Sequence, residues 1–83
     1  METGTIAAVN ERRGMLVVKC AKGGYAVFEE VTWTGLKVGD QLSWPKRELG
    51  RTILTNTTQA NNAVHVYAHN WDCSQEVAMA LIS

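Results

Sequence analysis

Arg12 and Arg13 stand together in one polar segment, Lys46 and Arg47 in another, and Arg51 follows shortly after the second pair. Guanidinium groups hold phosphate oxygens through forked N–H donors, so two such pairs flanking a groove could grip a polynucleotide backbone. Lys19 lies between the pairs in sequence and could join them. Glu11 and Glu48 partly offset these charges, and a solvated turn would carry the same residues.

A second constellation is the ring-bearing series His65, Tyr67, His69 and Trp71, which alternates with Val64, Val66 and Ala68. A period of two is that of a strand, with the aliphatic residues on the core side and the rings on the other. Exposed rings of this kind stack on bases or anchor a protein partner. A C-terminal helix lying over them, with Tyr67 and Trp71 under Val77 and Leu81, would equally account for the pattern. His65, His69 and Cys73 recur every four residues, but that spacing gathers zinc ligands on a helix and this segment reads as strand. No metal or other cofactor is expected. No nucleophile, base and orienting acid can be nominated by spacing, and there is no glycine-rich phosphate loop, so the chain is not expected to be an enzyme.

Composition bounds these readings. Eighty-three residues make one domain, and eight Lys and Arg balance eight Asp and Glu. Non-specific affinity for nucleic acid comes largely from neutralised phosphates, so a neutral chain has no general pull toward polyanions and needs a local site. The opening Met1-Glu2-Thr3-Gly4 has neither a basic nor an apolar start, and no apolar run could span a bilayer. A cytoplasmic protein with no membrane partner is expected, with Cys20 and Cys73 as free thiols.

The elements that must position these residues are short strands separated by Gly, Asn and charged turns. Strands are expected at 5–9, 15–22, 25–29, 40–44, 51–57 and 63–70. Gly14 closes the first turn and the Gly23-Gly24 pair the second. Asp72 and Gln75 can cap a helix over about 73–82, whose Val77, Ala80 and Leu81 share one face. A helix this short is marginal alone and must dock. Trp33 and Trp44 are expected to plug the barrel ends. The fold class is therefore all-β, an OB-like barrel of five to six strands spanning 4–71 with a short C-terminal helix.

Read in order, Gly4, Thr5, Ile6, Asn10 and Gly14, then Val27-Phe28-Glu29-Glu30, then Leu36-Lys37-Val38-Gly39-Asp40, resemble the cold-shock type of OB-fold domain over roughly the first 58 residues. The whole length, through Asn56-Thr57-Thr58, Val64-His65-Val66-Tyr67 and the apolar helix, is also similar to a group of small bacterial proteins without an assigned role. The cold-shock resemblance implies single-stranded RNA or DNA as ligand, stacked on aromatic residues of the first three strands. At those positions stand Ala8, Val9, Met15 and Val17, and of the stacking rings only Phe28 remains. In OB-folds the loops joining strands one to two and four to five bind ligands, and here they hold Arg12, Arg13, Lys46 and Arg47.

Two functions follow as expectations. The first is a nucleic-acid binder using Arg12, Arg13, Lys19, Phe28, Lys46 and Arg47, with Tyr67 as further stacking surface. The second is a protein-interaction or self-association module, using a free sheet edge, the helix, or an apolar surface drawn from Ala8, Met15, Val17 and Phe28 together with His65, Tyr67 and Trp71.

Overall fold

The computed structural model describes residues 1–83 as six strands and one helix. The strands are β1 (Glu2–Asn10), β2 (Met15–Cys20), β3 (Tyr25–Glu30), β4 (Gln41–Trp44), β5 (Gly50–Asn56) and β6 (Asn62–Cys73), followed by α1 (Gln75–Ile82). All six expected strands are present, with ends that differ by up to three residues. They close into a barrel in the order β1-β2-β3-β6-β5-β4, every neighbouring pair antiparallel. Two meanders, β1–β3 and β4–β6, are joined by residues 31–40. Closure leaves no unpaired sheet edge, so association through a free edge is not available to this chain. No helix is long and apolar enough to cross a membrane.

The barrel interior holds Ile6, Leu16, Val18, Phe28, Leu42, Trp44, Leu54, Val64 and Val66, each at most 1 % exposed. Leu36, from the 31–40 connection, joins this core, and Trp33 packs partly against it. Trp44 lies fully inside, its ring centroid 6.3 Å from that of Phe28 in an edge-to-face arrangement. Gly4 makes room for it. A Cβ at Gly4 would stand 2.9 Å from the Trp44 ring and 2.6 Å from Val18 Cγ1, so β1 can cross there only without a side chain.

The 31–40 connection is anchored by Asp40, which is 6 % exposed. Its Oδ2 accepts from Lys37 N (3.2 Å), Asn56 Nδ2 (3.1 Å) and Gln59 Nε2 (2.7 Å). Burial, the largest single influence, pushes the carboxyl upward. The bonds from Asn56, Lys37 and Gln59 together outweigh it and leave the Asp40 pKa below its ordinary 3.8. On either side of this residue, Asp40 O accepts from Ile6 N (2.9 Å) and Gly39 N donates to Ile6 O (2.8 Å), pinning the irregular stretch of β1 between Ile6 and Ala8.

A second, smaller apolar cluster lies outside the barrel. Met15, Val17 and Val27 point away from the interior and are covered by Ala78 and Ile82 of α1, with Ala7, Ala8, Tyr25 and Met79 around them. The expected helix therefore exists, but with a different cap and a different buried face. β6 runs on to Cys73, which places Asp72 inside the strand, and Ser74 becomes the N-cap, its Oγ accepting from Val77 N at 3.2 Å. The stripe turns inward at Ala78 and Ile82, leaving Val77 and Leu81 49 % and 39 % exposed.

Two outcomes test this account. Gly4→Ala should lower stability by about 1–3 kcal/mol through overpacking against Val18 and Trp44, measured by urea unfolding. Asp40→Asn should cost about 1–3 kcal/mol near neutral pH. A lowered native pKa stabilises above the unfolded value and loses that contribution as pH falls through the native one, so the gap between wild type and Asp40→Asn should shrink below about pH 4.

Candidate nucleic-acid interface

The expected binding residues fall into three groups. Arg12 and Lys19 are exposed and make no ion pair, Arg12 in the β1–β2 turn and Lys19 on β2. Lys46 is exposed but pairs with Glu48 at 3.0 Å. Arg13, Arg47 and Phe28 are engaged within the fold.

Arg13 is spent on the helix. Its Nη1 donates to the main-chain oxygens of Leu81 (3.2 Å) and Ser83, while Asn10 Nδ2 donates to that of Ile82. The last carbonyls of a helix have no partner within it and carry partial negative charge. α1 has no basic residue in its last turn, so the β1–β2 turn supplies the cation instead. Arg47 is spent on the barrel end. Its Nε donates to Glu2 Oε1 at 2.9 Å, and its Nη1 bonds Asp72 Oδ1. The Glu2 bond is the chief reason its guanidinium is held charged more firmly than an ordinary arginine's; partial burial opposes this and Asp72 adds to it. Phe28 is 0 % exposed inside the barrel and cannot meet a base.

The proposed interaction surface divides the same way. Met15 (7 % exposed) and Val17 (0 %) are buried under α1, and Ala8 borders the same cluster. No patch of Ala8, Met15, Val17 and Phe28 is open to a partner, because Phe28 faces the opposite side of the sheet from the others. The helix thus covers the surface on which the cold-shock resemblance would place bases.

His65, Tyr67 and His69 do project outward from β6, while Val64, Val66 and Ala68 are buried. The helix does not lie over His65 and Tyr67; its apolar contacts are mainly with β1–β3, and Leu81 shares a small recess with His69 and Asn70. Trp71 departs from the alternation. Val27 faces Asn70 and Phe28 faces Ala68, so His69 is an extra residue on β6, and a second irregularity lies between Asn70 and Cys73. A one-residue bulge turns the following side chains to the other face. Trp71 therefore packs inward, 5.1 Å from Phe28 and 5.4 Å from Trp44, with Arg47 Cζ 5.5 Å from its centroid and its Nε1 donating to Glu48 O at 2.9 Å.

The open surface is the outer side of β5 and β6. Across that hairpin Arg51 faces Tyr67, Ile53 faces His65 and Thr55 faces Ala63. Arg51 makes no ion pair, and Ile53 is 54 % exposed. A recess of about 540 Å³ lies between this hairpin and the start of the 31–40 connection, lined by Glu30, Val31, Thr34, Arg51, Ile53 and His65 among others. A second of about 440 Å³ shares Glu30 and Val31 and adds Glu29, Tyr67 and His69. Val31, 68 % exposed, is the ridge common to both. Within the second recess His69 Nε2 meets Glu29 Oε1 at 2.9 Å. Sequence reasoning placed Tyr67 and His65 here but missed Val31, Ile53 and Glu30, which reach the site only through the strand pairing.

Cys20 and Cys73 are free thiols. Burial pushes the Cys20 pKa above 9.0, outweighing nearby Arg47, so it stays protonated at neutral pH. Cys73 Sγ donates to Tyr25 O at 3.1 Å.

Comparison with protein-family models, curated proteins and solved structures returned no match.

If Arg13 clamps the helix, Arg13→Ala should lower stability by about 1 kcal/mol and speed amide exchange in α1 while leaving β5 and β6 protected. Unchanged exchange at Ala78 and Met79 would show that the apolar contacts hold the helix unaided.

Proposed function

We propose that the chain is a non-enzymatic module that binds single-stranded RNA or DNA on the outer side of β5 and β6. One observation carries the reading: His65, Tyr67 and His69 stand exposed in a row beside the unpaired Arg51, along two adjoining recesses. Rings next to a free guanidinium are what single strands use, the rings for base stacking and the cation for a phosphate. Recesses of about 540 and 440 Å³ lie within the roughly 300–1,000 Å³ typical of small-ligand sites, large enough for one base each.

The electrostatics define what kind of binder this is. Glu29 and Glu30 border the site, and the chain has no net charge, so backbone attraction is weak and stacking dominates. With Arg51 as the one free cation beside the recesses, the logarithm of affinity should fall with log salt at a slope of about −0.7, far shallower than for a basic groove.

A second reading rests on Val31 and Ile53, whose aliphatic side chains are 68 % and 54 % exposed on the same surface. With Tyr67 and Arg51 they have the make-up of a protein hot spot, and they would serve self-association face to face.

Fluorescence anisotropy with mixed-sequence hexanucleotides separates the two. Tyr67→Ala should weaken binding by about 5- to 150-fold, the equivalent of 1–3 kcal/mol of stacking. Arg51→Ala should remove most of the salt dependence, and Arg12→Ala should change little. Absence of binding at 100 micromolar protein in low salt, with a dimer in sedimentation that Ile53→Asp dissociates, would assign the surface to self-association instead.

A further inference from the structure

The C-terminal helix carries more apolar surface than its own barrel covers. From Val77 to Ile82 the chain reads Val-Ala-Met-Ala-Leu-Ile, an apolar run with no polar interruption, and Glu76 is the only charged residue of α1. A helix docked on one side ordinarily shows polar residues on the other, and a helix apolar all round is ordinarily buried all round. α1 is buried only at Ala78 and Ile82, with Met79 half-covered. Val77, Ala80 and Leu81 share a face at i, i+3 and i+4 and lie open, Val77 and Leu81 at 49 % and 39 % exposed. Beside Leu81 is a recess of about 270 Å³, with the buried Met15 and Val27 at its base and Arg13, Glu29 and His69 bordering it.

We infer that this face of α1 pairs with the same face of a second copy of the chain, the two helices running antiparallel about a two-fold axis. The face is self-complementary. In an antiparallel pair Val77 of one copy comes opposite Leu81 of the other, at the apolar recess, and each copy gives and receives that contact once. Ala80, between them on the face, lets the two backbones approach closely. Charge sets the direction. Glu76 lies in the first turn and makes no ion pair, while Arg13 stands at the last carbonyls and uses only its Nη1 there. Antiparallel packing brings Glu76 of each copy to the Arg13 end of the other and sets opposite ends of the helix dipoles side by side; parallel packing would set like beside like. Glu29, the other acid at the recess, is already matched to His69. A second copy fits this face better than a lipid surface does, because α1 has no Lys or Arg to meet headgroups. The pairing uses neither Val31, Ile53 nor Tyr67, so it is separate from both readings of the β5–β6 surface.

The test is sedimentation equilibrium of the full chain. Between about 5 and 500 micromolar a monomer should pass into a dimer, since one short helix from each copy makes an interface at the small, weak end of the size range. Leu81→Lys should weaken the dimer by about tenfold or more. A cation there suits the C-terminal end of the helix dipole, so circular dichroism and the thermal midpoint should stay close to wild type. Glu76→Lys, which opposes Arg13 across the pair, should weaken it by about two- to fivefold. Ile53→Asp should leave it unchanged. A chain that stays monomeric over this range overturns the proposal, as does a dimer that Ile53→Asp dissociates and Leu81→Lys does not. Flotation of a monomer with phosphatidylcholine vesicles, lost in Leu81→Lys, would overturn it in favour of a lipid surface.

Discussion

β2 is buried on both faces, and the surface of the protein is decided by that constraint. Leu16 and Val18 fill the barrel; Met15 and Val17, their alternates, lie under α1. A strand covered on one side only would leave Met15, Val17 and the neighbouring Val27 in water. Burying each such side chain is worth about 1.5–3 kcal/mol, so the docked helix contributes a substantial share of the marginal stability expected of so small a domain. The helix in turn could not persist at eight residues without this contact. The two stabilise one another, and Asn10 and Arg13 close the arrangement by taking up the carbonyls at the end of α1. Because α1 occupies the outer face of β1–β3 around Met15, Val17 and Val27, an open ring-bearing surface has to lie elsewhere on the barrel.

β6 supplies that surface and part of the core as well. In its first half the outward residues are His65 and Tyr67. Beyond the bulge at His69 the parity changes, and Trp71 enters the aromatic group with Phe28 and Trp44. The same shift brings Asp72, at φ +58°, beside Arg47. One strand therefore exposes rings at one end and seals the barrel at the other, and the cation that seemed available in the β4–β5 loop is consumed in the sealing. Its partners are Glu2 and Asp72, from opposite ends of the chain, an arrangement that no local reading of Lys46-Arg47 reveals.

Much of the fold was legible because it is written in short-range patterns. Alternation at Val64–Ala68, the glycines at turns and the apolar tail each specify a local geometry, and each is found. The doubly covered strand was also written, in a signal left unused: Met15-Leu16-Val17-Val18 is an unbroken apolar run with no polar alternate, the mark of a strand buried on both sides. The expected face of Val77, Ala80 and Leu81 gave way to Ala78 and Ile82 because the buried side of a short helix is chosen by how it docks on Met15, Val17 and Val27, which apolar spacing alone does not record. The site was the least legible part. Arg51, Ile53, Glu30 and His65 come from three strands, and only the ladders that pair Ile53 with His65 and Glu30 with Val66 bring them together.

The acidic residues beside the rings sharpen the proposed chemistry. A surface meant to hold phosphates indiscriminately would exclude Glu29 and Glu30, since each carboxylate repels the backbone it is meant to attract. A surface that binds by stacking tolerates a nearby carboxylate, because the face of a base needs no phosphate attraction. The two carboxylates are treated differently by the fold. Glu29 is exposed and matched to His69, whereas Glu30 is buried, lacks a cation and is held flat by Thr34. Glu30 stands opposite Val66 on the barrel side, so its carboxylate serves the fold by holding Thr34, and Glu29 is the acid that a ligand on the outer side would meet. In a protein with no excess positive charge, affinity on that side has to come from the rings rather than from attraction to the backbone.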